Sequence, residues 1–505
     1  MPPRPNILIL MADQLTPGVL PAYGGKLART PHIDALASAG VLFESFYCNS
    51  PLCAPSRFSW AASQLPSRIG AYDNAAEFAA QVPTFAHYLR HVGYQTALSG
   101  KMHFCGPDQL HGFEERLTTD IYPADFGWTP DWTRFEERPG WYHSMDSVIQ
   151  AGPCTRTNQI DFDDDVVFAA RQKLFDIARG KDRRPFCLLV SMTHPHDPYV
   201  IPEPYWNLYR DSEIVRPRVQ AGEVEDDPHS RRLRHVMGLG LAQPTEVQIR
   251  AARRAYLGAV SYVDDQVGSL LTALRDARLE EDTVVLVLAD HGDMLGERGL
   301  WYKMNFFEDA CRVPLIVHAP GRFASHRVRE PASMLDILPT LVELAGDGKA
   351  PAYAAPIDGR SLLPALRGGA GPGEAIGEYL AEGAIAPIVM IRRGRHKFVH
   401  SPVDPDQLYD LAADPDERAN LASRPECAAL VAEFRAEVSR RWSLTEIHQA
   451  VLASQSRRHL VYAALREGRY RPWDYQPLRD ANRLYIRNDQ ELNDLEAMAR
   501  FPPLG

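Results

Sequence analysis

Cys53-Ala54-Pro55-Ser56-Arg57 gathers a thiol, a hydroxyl and a guanidinium at what the sequence predicts to be a helix start, with Pro55 in its first turn. A helix N-terminus stabilises anions and lowers a thiol's pKa, so a cysteine placed there suits nucleophilic chemistry. An isolated cysteine is more often an inert small hydrophobe, and the pentapeptide gains weight only from its company. Asp13 follows an apolar run, and Asp290-His291-Gly292-Asp293 follows another. Their carboxylates are the hard oxygen donors that hold Ca²⁺ or Mg²⁺, a cation able to fix a nucleophile and screen an anionic substrate. Each aspartate alone could be a helix cap. Gly100-Lys101-Met102-His103, Pro195-His196-Asp197-Pro198 and Lys303 add cations and imidazoles. On an extended segment Lys101 and His103 point the same way, as two groups clasping one oxyanion should.

The elements that must position these groups are short apolar runs. Residues 6–11 and 283–289 read as buried parallel strands that deliver acidic residues at their carboxyl ends, and residues 186–192 read as another strand. Residues 247–275 carry apolar side chains at helical spacing. Alternating strands and helices predict an α/β fold with a doubly wound, mostly parallel sheet flanked by helices. Ligands in such sheets gather beyond the carboxyl ends of the strands. The chain turns rich in Gly, Ala and Pro near 368–373, which predicts a catalytic domain over 1–370. A smaller α+β subdomain over 371–443 follows, with strands at 388–391 and 396–400 and a helix near 430–442. Residues 444–505 form a C-terminal extension whose interleaved aromatics (Tyr462, Tyr470, Trp473, Tyr475, Tyr485) predict an oligomerising, intersubunit tail.

With 55 Lys and Arg against 65 Asp and Glu, the 505-residue chain has a net charge of −10, which argues against nucleic acid or an anionic membrane as partner. No apolar run suits a membrane span, and the N-terminus lacks a signal-peptide pattern. The seven dispersed cysteines lack a metal-type CxxC pair and do not suggest a disulfide framework. A cytoplasmic location is the expectation.

The motif Cys53-Ala54-Pro55-Ser56-Arg57 resembles the signature of the type I, formylglycine-dependent sulfatases, members of the alkaline phosphatase superfamily. The resemblance implies that cellular maturation machinery converts Cys53 to formylglycine (3-oxoalanine). One hydroxyl of the aldehyde hydrate attacks sulfur, and the other then ejects sulfate. It implies one divalent metal, Ca²⁺ first and Mg²⁺ or Mn²⁺ as alternatives, held by Asp13, Cys53, Asp290 and His291. Arg57 and Lys101 would hold the nucleophile and sulfate oxygens, with His103 as the base; His196 and Lys303 would bind sulfate and protonate the leaving alcohol. Two positions depart from the commonest pattern: Gln14 stands where a second Asp is usual, and His291 where Asn is usual. The bacterial choline sulfatases and the phosphonate monoester hydrolases look like this subgroup.

Further stretches are similar to the choline sulfatases: Tyr72-Asp73-Asn74-Ala75-Ala76-Glu77-Phe78, residues 99–130 and residues 296–304. Choline-O-sulfate is the substrate this implies, with Asn74, Trp128, His143 and Glu382 around the quaternary ammonium and Asp489 reaching it from a neighbouring subunit of a homotetramer. Such a cation cannot donate a hydrogen bond, so aromatic faces and carboxylates must recognise it. Asp489 could instead cap the helix after it. A phosphonate or phosphate ester hydrolase and a promiscuous arylsulfatase are the enzyme alternatives. A silent osmolyte-binding protein is the other class, and it would have no need of a nucleophile.

Overall fold

The run Asn-Ile-Leu-Ile-Leu-Met-Ala forms the central strand Asn6–Ala12, buried on both faces because helices cover both sides of the sheet. A computed structural model describes residues 4–346, 348, 352–478 and 491–502. The central strand pairs in parallel with Phe186–Ser191 on one side, Ile7 opposite Cys187, and with Thr283–Ala289 on the other, Leu8 opposite Val285. The sheet has eight strands in the order His326–Val328, Val41–Phe43, Leu315–His318, Thr283–Ala289, Asn6–Ala12, Phe186–Ser191, Gln95–Gly100, Glu115–Arg116. Only Leu315–His318 runs against the others. Each Ile, Leu or Val side chain sealed in these strands contributes about 1.5–3 kcal/mol over an exposed one.

Four adjacent parallel strands end on one edge, and each hands its next residues to the same place: Ala289 to Asp290, Ala12 to Asp13, Ser191 to the 193–198 loop, and Gly100 to Lys101. The expected doubly wound sheet is therefore present, and its acidic strand ends converge. The helix expected over 247–275 spans Glu246–Asp276, opened by a Thr245/Gln248 capping box. Its buried Tyr256 hydroxyl donates to the Gln14 carbonyl at 2.6 Å and accepts from Thr16 N at 3.0 Å, which fixes the loop leaving the central strand.

A four-stranded antiparallel sheet, Glu374–Tyr379, Ile388–Arg393, His396–His400 and Gln407–Asp410, follows the Gly-rich stretch, and helix Ala428–Arg441 packs on it through Val431, Phe434 and Val438. The tail continues as helix Leu444–Arg466 and, further on, helix Leu492–Ala499. Its described aromatics lie against their own chain: Trp473 meets Phe126 edge-on at 5.2 Å, Tyr475 covers Arg116 at 5.5 Å, and Tyr470 donates to Asp125. Tyr485 and Asp489 lie outside the described residues. No helix among the described residues is long and apolar enough to cross a membrane.

Candidate active site

Cys53 is the first residue of helix Cys53–Ala62, all ten residues of which are buried. The helix has no cap of its own; Asn74 Oδ1 accepts from Ala54 N at 3.0 Å and satisfies one of the free N–H groups of its first turn. Ser56 Oγ donates to the Asp290 carbonyl at 2.6 Å, binding the helix start to the end of strand Thr283–Ala289. Burial opposes ionisation of the Cys53 thiol, yet the Lys101 and Lys303 ammonium groups hold its pKa well below the ordinary value.

Asp13, Cys53, Asp290 and His291 are all buried, with one ligand atom from each within 4.8 Å of the others. His291 Nδ1 lies 3.0 Å from the Gly292 carbonyl, which can only accept, so Nδ1 carries the proton and Nε2 is the free lone pair. Nε2 sits 3.3 Å from Cys53 Sγ, 3.7 Å from Asp13 Oδ1 and 3.6 Å from Asp290 Oδ2. Asp13 Oδ1 is buried without a hydrogen-bond partner among the described residues. An orphaned carboxylate oxygen, a second carboxylate and an oriented imidazole converging on one point fit a divalent cation.

The cations that balance these acids lie behind and beside them. Arg57, fully buried, donates from Nε to Asp290 Oδ2 at 2.9 Å and from Nη2 to Asp13 Oδ2 at 3.2 Å, while Nη1 reaches the Lys101 carbonyl and Ser191 Oγ at 2.7 and 2.8 Å. Lys101 donates to the same Asp13 oxygen, with the Tyr122 ring 4.2 Å from its ammonium. Burial would raise the Asp13 pKa, but Lys101 and Arg57 keep it well below the usual carboxylate range. Lys303 Nζ is 2.6 Å from Gln14 Oε1 and 2.8 Å from His196 Nε2. His196 Nδ1 is 2.6 Å from the Asp197 carbonyl, so this imidazole also has its proton on Nδ1 and accepts from Lys303 at Nε2. Against its burial, Cys53 and Asp197 keep the Lys303 ammonium charged.

The segment after Gly100 is not extended. Gly100 adopts φ +104°, and a Cβ there would sit 2.0 Å from the Ser191 carbonyl; His103 follows at φ +58°. The turn is pinned by Asp120, which accepts from Met102 N and His103 N at 3.0 and 2.9 Å and from Arg116 at 2.7 Å. Lys101 therefore turns to Asp13, while the His103 ring lies against Tyr122 and Trp128, 5.1 and 5.7 Å away. Both ring nitrogens of His103 are buried, and the ring faces the Cys53 thiol, where a proton acceptor is required.

In front of Cys53 and Lys303 opens a cavity of about 290 Å³ walled by Asn74, Tyr122, Trp128, Trp141, His143 and Glu382. Burial, reinforced by Lys303, lowers the His143 pKa to about 3, so this imidazole is uncharged at neutral pH. Glu382 is 2% exposed, and its Oε2 has no hydrogen-bond partner among the described residues. Burial and the nearby Asp73 push its pKa up to about 7. A buried carboxylate with an unpaired oxygen in an aromatic-walled cavity is an attractive seat for a cation.

The profile of the family described as Sulfatase matches residues 5–347, which covers the cysteine, the acids and the lysines above. The chain belongs to the sulfatase family. This sulfatase also matches the profiles described as N-sulphoglucosamine sulphohydrolase, C-terminal, over 296–443 and Choline sulfatase enzyme C terminal over 449–501. It is 49% identical over 507 residues to choline-sulfatase of Rhizobium meliloti, covering 99% of each chain. In fold it is similar to the phosphonate monoester hydrolases of Agrobacterium radiobacter (TM-score 0.68, 24% identity, 88% of this chain and 96% of that one) and Silicibacter pomeroyi (TM-score 0.69, 23%, 86% and 94%). At those identities they attest the alkaline phosphatase-like fold alone. The protein is a sulfuric ester hydrolase, and sulfatases generally use a divalent metal and formylglycine.

Of the residues singled out in the sequence, the structure brings Asp13, Cys53, Arg57, Lys101, His103, His196, Asp290, His291 and Lys303 to one strand edge, and Asn74, Trp128, His143 and Glu382 to the cavity beside it. Arg57 lies beneath the acids rather than in the cavity, with its donors spent on Asp13, Asp290, Lys101 and Ser191. Gln14 offers its amide oxygen to Lys303 and its amide nitrogen to Asp293 at 2.7 Å and Asp197 at 3.3 Å. Sequence reasoning gave no role to Tyr122, Trp141, Asp197 or Asp293. Tyr122 falls inside the similar stretch 99–130, and Asp197 and Asp293 inside quoted motifs, so their neighbours carried the only signal.

Proposed function

We propose that this sulfatase hydrolyses choline-O-sulfate to choline and sulfate. The Glu382 carboxylate, whose Oε2 has no hydrogen-bond partner among the described residues, in an aromatic cavity next to Lys303 carries this reading, supported by the full-length similarity to a choline-sulfatase. Trp128 and Tyr122 supply faces for the trimethylammonium group, each good contact contributing about 0.5–2 kcal/mol. A neutral His143 avoids repelling it.

Cys53 Sγ stands where the hydrate oxygens of formylglycine would sit; that group would supply the nucleophile and a second hydroxyl able to expel sulfate. Asp13, Asp290 and His291, with residue 53, would hold a divalent metal that screens sulfate charge, with Ca²⁺ preferred and Mg²⁺ or Mn²⁺ as alternatives. Lys101 and Arg57 fix Asp13 and Asp290. Lys303, held by His196, faces the cavity as the protonated donor to the leaving oxygen, because an alkoxide leaves poorly unless its oxygen is protonated as the S–O bond breaks. His103, whose buried ring faces residue 53, would be the base that accepts a proton there. Unconverted cysteine at position 53 in peptide mass spectra of active enzyme would remove this mechanism. A higher kcat/KM for an aryl phosphonate than for choline-O-sulfate would remove the substrate.

Because Glu382 must be ionised to attract the ammonium, KM for choline-O-sulfate is expected to fall as the pH rises through about 7. Glu382→Gln should abolish that limb and raise KM for choline-O-sulfate by about tenfold or more, with a much smaller effect on a neutral aryl sulfate. Equal effects on the two substrates would take Glu382 out of the ammonium site.

Seven free thiols suit a reducing, cytoplasmic setting. Helix Leu444–Arg466 leaves Leu460 73% exposed and Val461 and Leu465 40% exposed, an apolar edge that suits contact with further copies in a homotetramer. Leu460→Glu should then lower the mass seen by light scattering. An unchanged mass would remove this edge from the assembly.

A further inference from the structure

We propose that Arg458, on the tail helix Leu444–Arg466, is a positioning residue that ties together the loops carrying Asn74 and Trp128 and so sets the preference for a cationic over a neutral sulfate ester. The inference rests on the reading of the cavity as an ammonium pocket. Arg458 is 6% exposed and grips Asp73, itself fully buried, with both terminal nitrogens at 2.6 Å. Nη1 also reaches Thr129 Oγ1 at 3.2 Å, and Nε is 3.2 Å from Ser454 Oγ one helical turn earlier, which fixes the guanidinium plane.

Each partner adjoins a cavity residue. Asp73 closes its own loop by accepting from Ala75 N at 3.0 Å, and the next residue, Asn74, both walls the cavity and holds Ala54 N. Thr129 follows Trp128 and donates to the Phe126 carbonyl at 2.8 Å. The same helix reaches the third recognition residue from the preceding turn. Gln455, 2% exposed, accepts from Trp132 N at 3.0 Å, and Trp132 Nε1 donates to the Ala381 carbonyl at 3.0 Å, immediately before Glu382.

One helix face thus braces the walls that carry Asn74, Trp128 and Glu382, while the sulfate-binding groups sit on the strand ends and the loops after them, which Arg458 does not touch. Apolar packing could hold a helix here without the desolvation cost of a buried guanidinium. A two-pronged donor is what aligning two separate loops requires.

The test compares kcat and KM of the full-length enzyme for choline-O-sulfate and for 4-nitrophenyl sulfate. In Arg458→Met, KM for choline-O-sulfate should rise by about tenfold and KM for the aryl ester by less than about twofold, with partial recovery in Arg458→Lys, which keeps the charge but not the fork. Equal changes on both substrates, or none, would overturn the proposal and leave Arg458 as scaffold. Because Arg458→Met strands the Asp73 charge, the same split is expected in the Asp73→Asn, Arg458→Met double variant, and its absence there would be equally decisive. The underlying reading fails on the wild-type enzyme: if that protein does not prefer choline-O-sulfate, both ideas fall. If it does and the variants keep the preference, only the role of Arg458 falls.

Discussion

Replacing Cys53 with alanine is expected to abolish sulfate release while leaving the fold intact. Among the described residues, position 53 is the one at the convergence of Asp13, Asp290, His291, Lys101 and Lys303 that can supply a covalent nucleophile once converted, and removing such a group typically lowers kcat by on the order of 10⁴ or more. Folding should survive because the helix start is held by groups other than the sulfur. Asn74 takes Ala54 N, Ser56 binds the Asp290 carbonyl, and Phe58 stacks on Phe78 at 4.5 Å. Cys53→Ser, made in a host that matures only cysteine, should be equally silent. The checks are sulfate release with choline-O-sulfate and thermal unfolding by circular dichroism. Residual turnover above about one per cent would be incompatible with residue 53 as the covalent centre.

Arg57→Met is expected to have the largest effect on stability. The guanidinium is fully buried and neutralises Asp13 and Asp290 together, so its loss leaves a closely spaced pair of carboxylates without the group that bridges both. Breaking a buried pair of this kind costs about 3–5 kcal/mol, chiefly through the uncompensated charge. The pH dependence has a definite sign. Asp13 is held below its unfolded value of 3.8, so the stability it contributes is complete above that pH and is lost as acid protonates it in the folded state. Denaturant titration at neutral pH and at progressively lower pH measures both effects. A wild-type midpoint in Arg57→Met would show that the acids are balanced by something other than Arg57.

Much of this arrangement is legible in local sequence. An apolar run such as Ile7 to Met11 can only be a strand buried on both faces, and an aspartate placed directly after it must emerge at the strand's carboxyl end. The same logic locates Asp290, and the Pro at the third position of Cys53–Ala62 marks the helix start that makes Cys53 chemically distinctive. The Lys101–His103 segment shows where such reasoning stops. Alternation along a strand would aim both side chains one way, but Gly100 at φ +104° breaks the strand, because the Ser191 carbonyl occupies the space a Cβ would need. Periodicity records which face a residue takes in a regular element and is silent once the element ends.

By itself the sequence determined the doubly wound class and marked Cys53, Asp13 and Asp290 as candidates, because each rests on contacts within a few residues: a strand, its end, a helix start. Only the tertiary structure decided how these groups are balanced. Gln14 became a link between Lys303, 289 residues away, and Asp293; Arg57 became a clamp on two carboxylates; Asn74 became both a wall and a helix cap. Arg458 was paired with Asp73 across 385 residues. Buried charges choose partners by proximity in the folded interior, where an unpaired group costs several kcal/mol, and no local pattern in the chain records which distant residue will be there.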